Sequence, residues 1–110
     1  YFNLGCAYGK LGKHDNEIAA YEEAIKLDPK RPELYFNLGT VLNNIGEKDK
    51  AIETLKEAIL LRPEYLKAHY AACRVYSEVG DRENVIKELK ILKKIDSKVA
   101  DELEQIIKME

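Results

Sequence analysis

The residues able to do chemistry are few, and their spacing suits little of it. His14 and His69 are the only histidines, and Cys6 and Cys73 stand far apart with no Cys-x-x-Cys pair. That spacing argues against both a zinc site and a disulfide framework. No HExxH helix, GxSxG elbow, phosphate loop or dinucleotide fingerprint occurs. Acid–base or nucleophilic work needs a nucleophile beside a base, paired carboxylates in a cleft, or a metal cluster. The carboxylates here instead sit beside lysines at helical spacing, as Glu53 and Glu57 do around Lys56, the pattern of a solvated face. His14 is expected in a turn between helices, and His69 as a packing residue. Cys6 and Cys73, among small and apolar neighbours, read as buried reduced thiols. The expectation is no catalysis, no metal and no cofactor.

Binding chemistry is better represented. Phe2-Asn3 recurs 34 residues later as Phe36-Asn37, and Tyr70 stands in the same column as the two phenylalanines. An asparagine amide carries both a donor and an acceptor, so a row of them can satisfy the backbone of an extended peptide. Aromatic rings beside that row would supply apolar anchors. The third rung is broken, because Ala71 follows Tyr70. The competing structural reading has the rings packing between neighbouring helices.

The recurrence belongs to a longer period. Sliding the chain by 34 places Tyr1-Phe2-Asn3-Leu4-Gly5 under Tyr35-Phe36-Asn37-Leu38-Gly39, and Glu23-Ala24-Ile25 under Glu57-Ala58-Ile59. Gly12, Asp15, Ile18, Leu27 and Pro29 also match, giving 13 identities in 34 columns. A third, weaker copy keeps phase through Gly80, Ile86, Leu89 and Ile95. Each copy reads as two helices. Tyr35, Leu38, Val41, Leu42 and Ile45 fall at helical spacing, and Gly46 follows where a helix can end in the left-handed conformation. Ala51, Ile52, Leu55, Ala58 and Ile59 make a second stripe, which Arg62-Pro63 stops. Asp28-Pro29 stops its counterpart, and Pro32 suits the first turn of the next helix. Ser97 is the expected N-cap of a last helix, whose stripe is Val99, Leu103, Ile106 and Ile107.

Composition sets the outer limits. The chain has 110 residues, 45% hydrophobic and 35% charged, with a net charge of -2. Nucleic-acid binders carry a basic surplus or stripe, so nucleic acid is not an expected partner. No apolar run approaches the roughly 18 residues that cross a bilayer. Reduced cysteines fit a cytoplasmic location. Tyr1 already lies within a helical pattern, as in a piece of a longer chain.

These columns resemble the tetratricopeptide repeat. Copy one supplies Tyr1, Leu4-Gly5, Tyr8, Tyr21, Ala24 and Pro29, and copy two Tyr35, Leu38-Gly39, Leu42, Ala51, Leu55, Ala58 and Pro63. Copy three is degenerate, with His69, Ala72-Cys73, Tyr76, Val85, Leu89, Leu92 and Ser97. The resemblance implies an all-α, right-handed α-α superhelix of three helix-turn-helix repeats with a seventh, capping helix. Its divisions would be residues 1–31, 32–65, 66–97 and 98–110. Small columns such as Gly5, Gly39 and Ala58 would let helices approach closely. Glu17, standing where copy two has Ala51, must find a partner or reach solvent, so copy one is expected to be the looser.

In that family the first helices of successive repeats line a concave groove. The columns flanking the packing stripe are Phe2, Asn3, Cys6 and Lys10, then Phe36, Asn37, Thr40, Asn43 and Asn44, then Lys67, Tyr70, Arg74 and Ser77. A carboxylate clamp of the chaperone-binding kind would fall on Phe2, Cys6, Asn37, Lys67 and Ala71, of which only Asn37 and Lys67 fit. The implied function is a scaffold binding a peptide of another protein. The alternatives are a self-associating module and the recruiting arm of a larger enzyme.

Overall fold

The computed structural model describes residues 14–109, as six helices and no strand among the described residues. They are α1 (His14–Leu27), α2 (Pro32–Asn44), α3 (Lys48–Leu61), α4 (Leu66–Val79), α5 (Arg82–Ile95) and α6 (Ser97–Met109). The sequence pattern predicts seven helices. The first of them, with Phe2, Asn3, Cys6 and Lys10, lies outside the described residues. No described helix is long and apolar enough to cross a membrane.

Helix ends follow local chemistry. Pro32 opens α2, where its missing N–H costs nothing. Gly46 and Gly80 occupy the same repeat column and take φ of +89° and +80°. That left-handed turn lets Glu47 N–H reach Leu42 O at 2.9 Å and Asp81 N–H reach Tyr76 O at 2.9 Å, closing both helix ends. Asp81 caps α5, its carboxylate accepting from Asn84 N–H at 3.3 Å and from Asn84 Nδ2 at 2.6 Å, contacts that hold its pKa below the usual range. At the last helix the cap is one residue earlier than expected. Ser97 is the first helical residue, and Asp96 Oδ1 accepts from Val99 N–H at 3.3 Å. The charged acceptor one residue upstream outcompetes the serine hydroxyl.

Consecutive helices pack pairwise, and α2–α4 and α4–α6 also touch, so alternate helices form an inner row with α1, α3 and α5 outside it. Two apolar cores result. Tyr21, Ala24, Leu34, Leu38, Val41, Leu42 and Ala51 fill the space among α1, α2 and α3. Leu55, Ala72, Cys73, Val75, Leu89, Leu92, Ala100 and Leu103 fill the space among α3 to α6. No hairpin hides its own apolar stripe; each core needs the next copy.

The small columns do what their size permits. A Cβ on Gly39 would stand 2.8 Å from Leu55 Cγ. Ala51 and Ala58 are completely buried across the same seam. Glu17, in the Ala51 column, is buried, with Oε1 3.5 Å from His14 Nδ1. His14, expected in a turn, is instead helical and half-buried in α1. Glu17 thus stays inside beside a partner from the preceding helical turn.

Candidate functional site

Between α2 and α4, on the inner row, lies an open groove of about 460 Å³. Phe36, Leu66, Tyr70, Ala71, Val75 and Leu55 make its apolar surface, with Val99 of α6 at the far side. Thr40, Asn43 and Asn44 form the polar wall on α2, and Lys67, Arg74 and Glu78 the charged wall on α4. Helical phase explains the selection. Residues 36, 40, 43 and 44 of α2, and 67, 70, 71, 74 and 78 of α4, recur every three to four positions on one side of each helix.

Both ends of the groove are tied. At one, the Phe36 and Tyr65 rings meet at 5.7 Å with a 52° tilt, and Arg62 lies 4.9 Å over the Tyr65 ring. Arg62 Nη2 also reaches Glu33 Oε1 at 2.8 Å, while Arg31 Nε lies 3.4 Å from Glu33 Oε2. Burial, then the Glu33 charge, push the Tyr65 hydroxyl pKa up. At the other end Lys48 donates to Asn43 Oδ1 at 2.6 Å and pairs with Glu78. Glu78 is therefore paired with Lys48 of α3, and Lys67 and Arg74 are the cationic side chains of that wall.

Of the residues expected in the groove, Phe36, Thr40, Asn43, Asn44, Lys67, Tyr70 and Arg74 line this one cavity. Asn37 is half-buried and does not line it, and Ser77 lines a different cleft beside Gly80, Ile86 and Ile107. The Thr40 hydroxyl donates to Phe36 O at 3.0 Å, so it faces the groove with an acceptor free. Phe36 and Tyr70 both line the groove and pack on the larger core. Sequence spacing missed Leu66, Val75, Val99 and the Lys48 tie. Leu66 and Val75 belong to the packing stripe, and they border the groove from the core side, with Val75 itself buried. Val99 and Lys48 come from other helices, which periodicity within one helix cannot place.

The histidine expected to pack does so, with unexpected polar chemistry. His69 is 2% exposed, with Nδ1 2.6 Å from Glu88 Oε2 and Nε2 2.7 Å from Pro63 O. A carbonyl and a carboxylate are both acceptors, so both ring nitrogens are called on to donate. The Glu88 hydrogen bond raises the imidazole pKa above its usual value, against the opposing effect of burial. Cys73, behind it, is buried, with its thiol pushed up to about 12 by burial and the Glu88 charge. Such a thiol is a poor nucleophile. No cluster of metal-ligating side chains occurs among the described residues.

Residues 1–31 and residues 20–53 each match a tetratricopeptide repeat model. The chain belongs to the tetratricopeptide repeat family. No curated protein sequence matches it. Among solved structures, a mutant form of MamA is 30% identical over 84% of this chain and 68% of its own, with a TM-score of 0.76. A MamA crystal structure is 29% identical at a TM-score of 0.81, matching 87% of this chain, which spans 56% of that one. The first TPR of Spaghetti (RPAP3), bound to HSP90 peptide SRMEEVD, shares the fold at a TM-score of 0.85 and 22% identity, over 98% of this chain and 90% of its own.

Proposed function

We propose that the chain is a non-catalytic scaffold that takes an extended peptide of a partner protein in the groove between α2 and α4. The observation that carries this reading is the composition of that groove: an apolar surface around Phe36, Leu66 and Tyr70 between a neutral polar wall and a basic one. Such a surface accepts an apolar side chain at its centre, while Asn43, Asn44 and Thr40 meet the backbone beside it. Phe2, Asn3, Cys6 and Lys10 would extend the same face towards the N-terminus, with Asn37 and Ser77 at its margins. The underlying architecture is a right-handed superhelix of repeats over 1–31, 32–65 and 66–97, with 98–110 as its cap.

The Spaghetti structure supports peptide capture as a use of this fold. Its peptide is acidic, and Lys67 and Arg74 would favour acidic side chains here. Ala71 denies this groove the second cation of a carboxylate clamp, so recognition would rest more on the central anchor than on a chain terminus.

Selection of peptides from a displayed heptapeptide library tests the reading. Peptides enriched on the wild-type chain should lose at least about ten-fold in affinity on Tyr70→Ala, the equivalent of about 1.4 kcal/mol. Lys56→Ala, on the outer row, should leave affinity unchanged. Equal affinity for wild type and Tyr70→Ala would remove the groove from the account.

A further inference from the structure

The turn between α3 and α4 touches the groove on one side and a buried histidine on the other. Arg62, Pro63, Glu64 and Tyr65 form this turn, closed by Tyr65 N–H on Arg62 O at 3.0 Å. Towards the groove, the Tyr65 ring packs on Phe36 and Arg62 lies over that ring. Away from it, Pro63 O accepts from His69 Nε2 at 2.7 Å. Arg62, Pro63 and Glu64 are exposed, so the turn can shift without opening either core.

The charged groups around the ring are few. Glu88 faces it from α5 and is the charge that acts on it. Glu64 and Lys94 flank Pro63 in the cleft between the turn and the end of α5, and Arg62 pairs with Glu33 beyond Tyr65. On α4 itself the Cys73 thiol, pushed up to about 12, stays neutral. Imidazole is the group among them that ordinarily titrates near neutrality. The second repeat makes the same tie with a group that does not: Tyr35 O–H donates to Pro29 O at 2.8 Å, and burial, then the Glu57 charge, raise its pKa further.

We infer that His69 makes occupancy of the groove respond to pH, peptides being held more tightly when both ring nitrogens carry a proton than when one does. The coupling rests on the groove between α2 and α4 being the peptide site. With both protons present, Nδ1–H donates to Glu88 and Nε2–H to Pro63 O, so one side chain ties α5 to the turn. Once a proton has left to solvent, the ring has one N–H for two acceptors. That N–H stays on the carboxylate, because a hydrogen bond to a charged acceptor is the stronger. The bare Nε2 lone pair then faces a carbonyl oxygen at a distance that suits only a hydrogen bond. The turn draws back, taking Tyr65 from Phe36, and the groove loses the support of one of its rings.

The test titrates an N-acetylated, histidine-free heptapeptide, selected by display on the wild-type chain, at pH values from about 5.5 to about 8.5, a range that brackets imidazole titration. Wild-type affinity should fall about five-fold as pH rises across it, a coupling of ordinary size. By reciprocity, bound peptide should raise the His69 midpoint by the same factor, about 0.7 pH, read from the imidazole proton shifts. His69→Tyr should flatten the profile, Glu88→Gln should move the fall to lower pH, and His14→Gln should leave it as in wild type. Circular dichroism checks that each variant is helical; the midpoint shift needs no variant and decides the matter if His69→Tyr unfolds. Affinity that is flat with pH while Tyr70→Ala still weakens binding overturns the inference and leaves the groove reading intact. A fall that persists in His69→Tyr, vanishes in His14→Gln or keeps its midpoint in Glu88→Gln overturns it too. Binding indifferent to Tyr70→Ala is instead the failure of the groove reading, and removes both.

Discussion

The second and third repeats use the same columns with different residues, and the difference shows what the repeat needs. In the second, Tyr35 donates its hydroxyl to Pro29 O at 2.8 Å, tying the first helix to the loop before it. In the third, His69 stands in that column and donates Nε2–H to Pro63 O at 2.7 Å. The tie to the proline carbonyl is kept; the ring that makes it is not. The substitution gains a second contact, since the other ring nitrogen lies 2.6 Å from Glu88 Oε2 on α5.

The helix seam differs in the same way. Gly39, Ala51 and Ala58 hold α2 and α3 closely together, whereas Cys73, Val85 and Leu92 stand in those columns between α4 and α5, which are less closely applied. Both seams are buried. The family pattern therefore specifies a filled seam, and side-chain size sets the helix separation that fills it.

Exchanging residues between the repeats breaks the comparison most severely where volume is lost. Leu92 is fully buried, and Leu92→Ala, which installs the second repeat's residue, should cost about 3 kcal/mol by leaving a cavity between helices already set apart. Urea unfolding measures it; a loss under about 1 kcal/mol would mean that α4 and α5 can close the gap. The reverse exchange, Gly39→Cys, forces a Cβ against Leu55 and should cost about 2 kcal/mol, even after the better helix propensity of a non-glycine residue.

The His69 pair makes the third repeat sensitive to pH where the second is not. Because the folded imidazole binds its proton more tightly than the unfolded one, the stability it contributes is fully present below about pH 6.5, the unfolded value. That contribution disappears as pH rises through the folded value. His69→Tyr should flatten this part of the profile, and Glu88→Gln should reduce it while costing about 1 to 2 kcal/mol in acid. Tyr35→Phe should cost the least, about 0.5 to 1 kcal/mol, and equally at pH 5 and pH 8. A wild-type profile that is flat across neutrality would show that His69 is held neutral.

Much of the fold was legible because repetition is a strong signal. The period placed the proline stops, the left-handed Gly46 and the tight seam at Gly39 without any coordinates. Less legible were contacts that join different copies. The Ser97 hydroxyl looked like a cap until Asp96, one residue earlier, was seen to accept the helix N–H. His69 looked apolar by column, and only the approach of α5 reveals Glu88 beside it. The groove residues of α2 and α4 followed from helical phase. Asn37 did not enter the groove, because one position past Phe36 the helix has turned by roughly 100°.

The groove claim can be examined most directly by mapping amide chemical shifts while a display-selected peptide is titrated into the isotopically labelled chain. Perturbations concentrated at Thr40, Asn44, Tyr70 and Arg74, with α3 and α5 silent on their outer faces, are the expected result. Perturbations gathered around Lys56, Lys90 and Ile91, with the inner row unchanged, would contradict it.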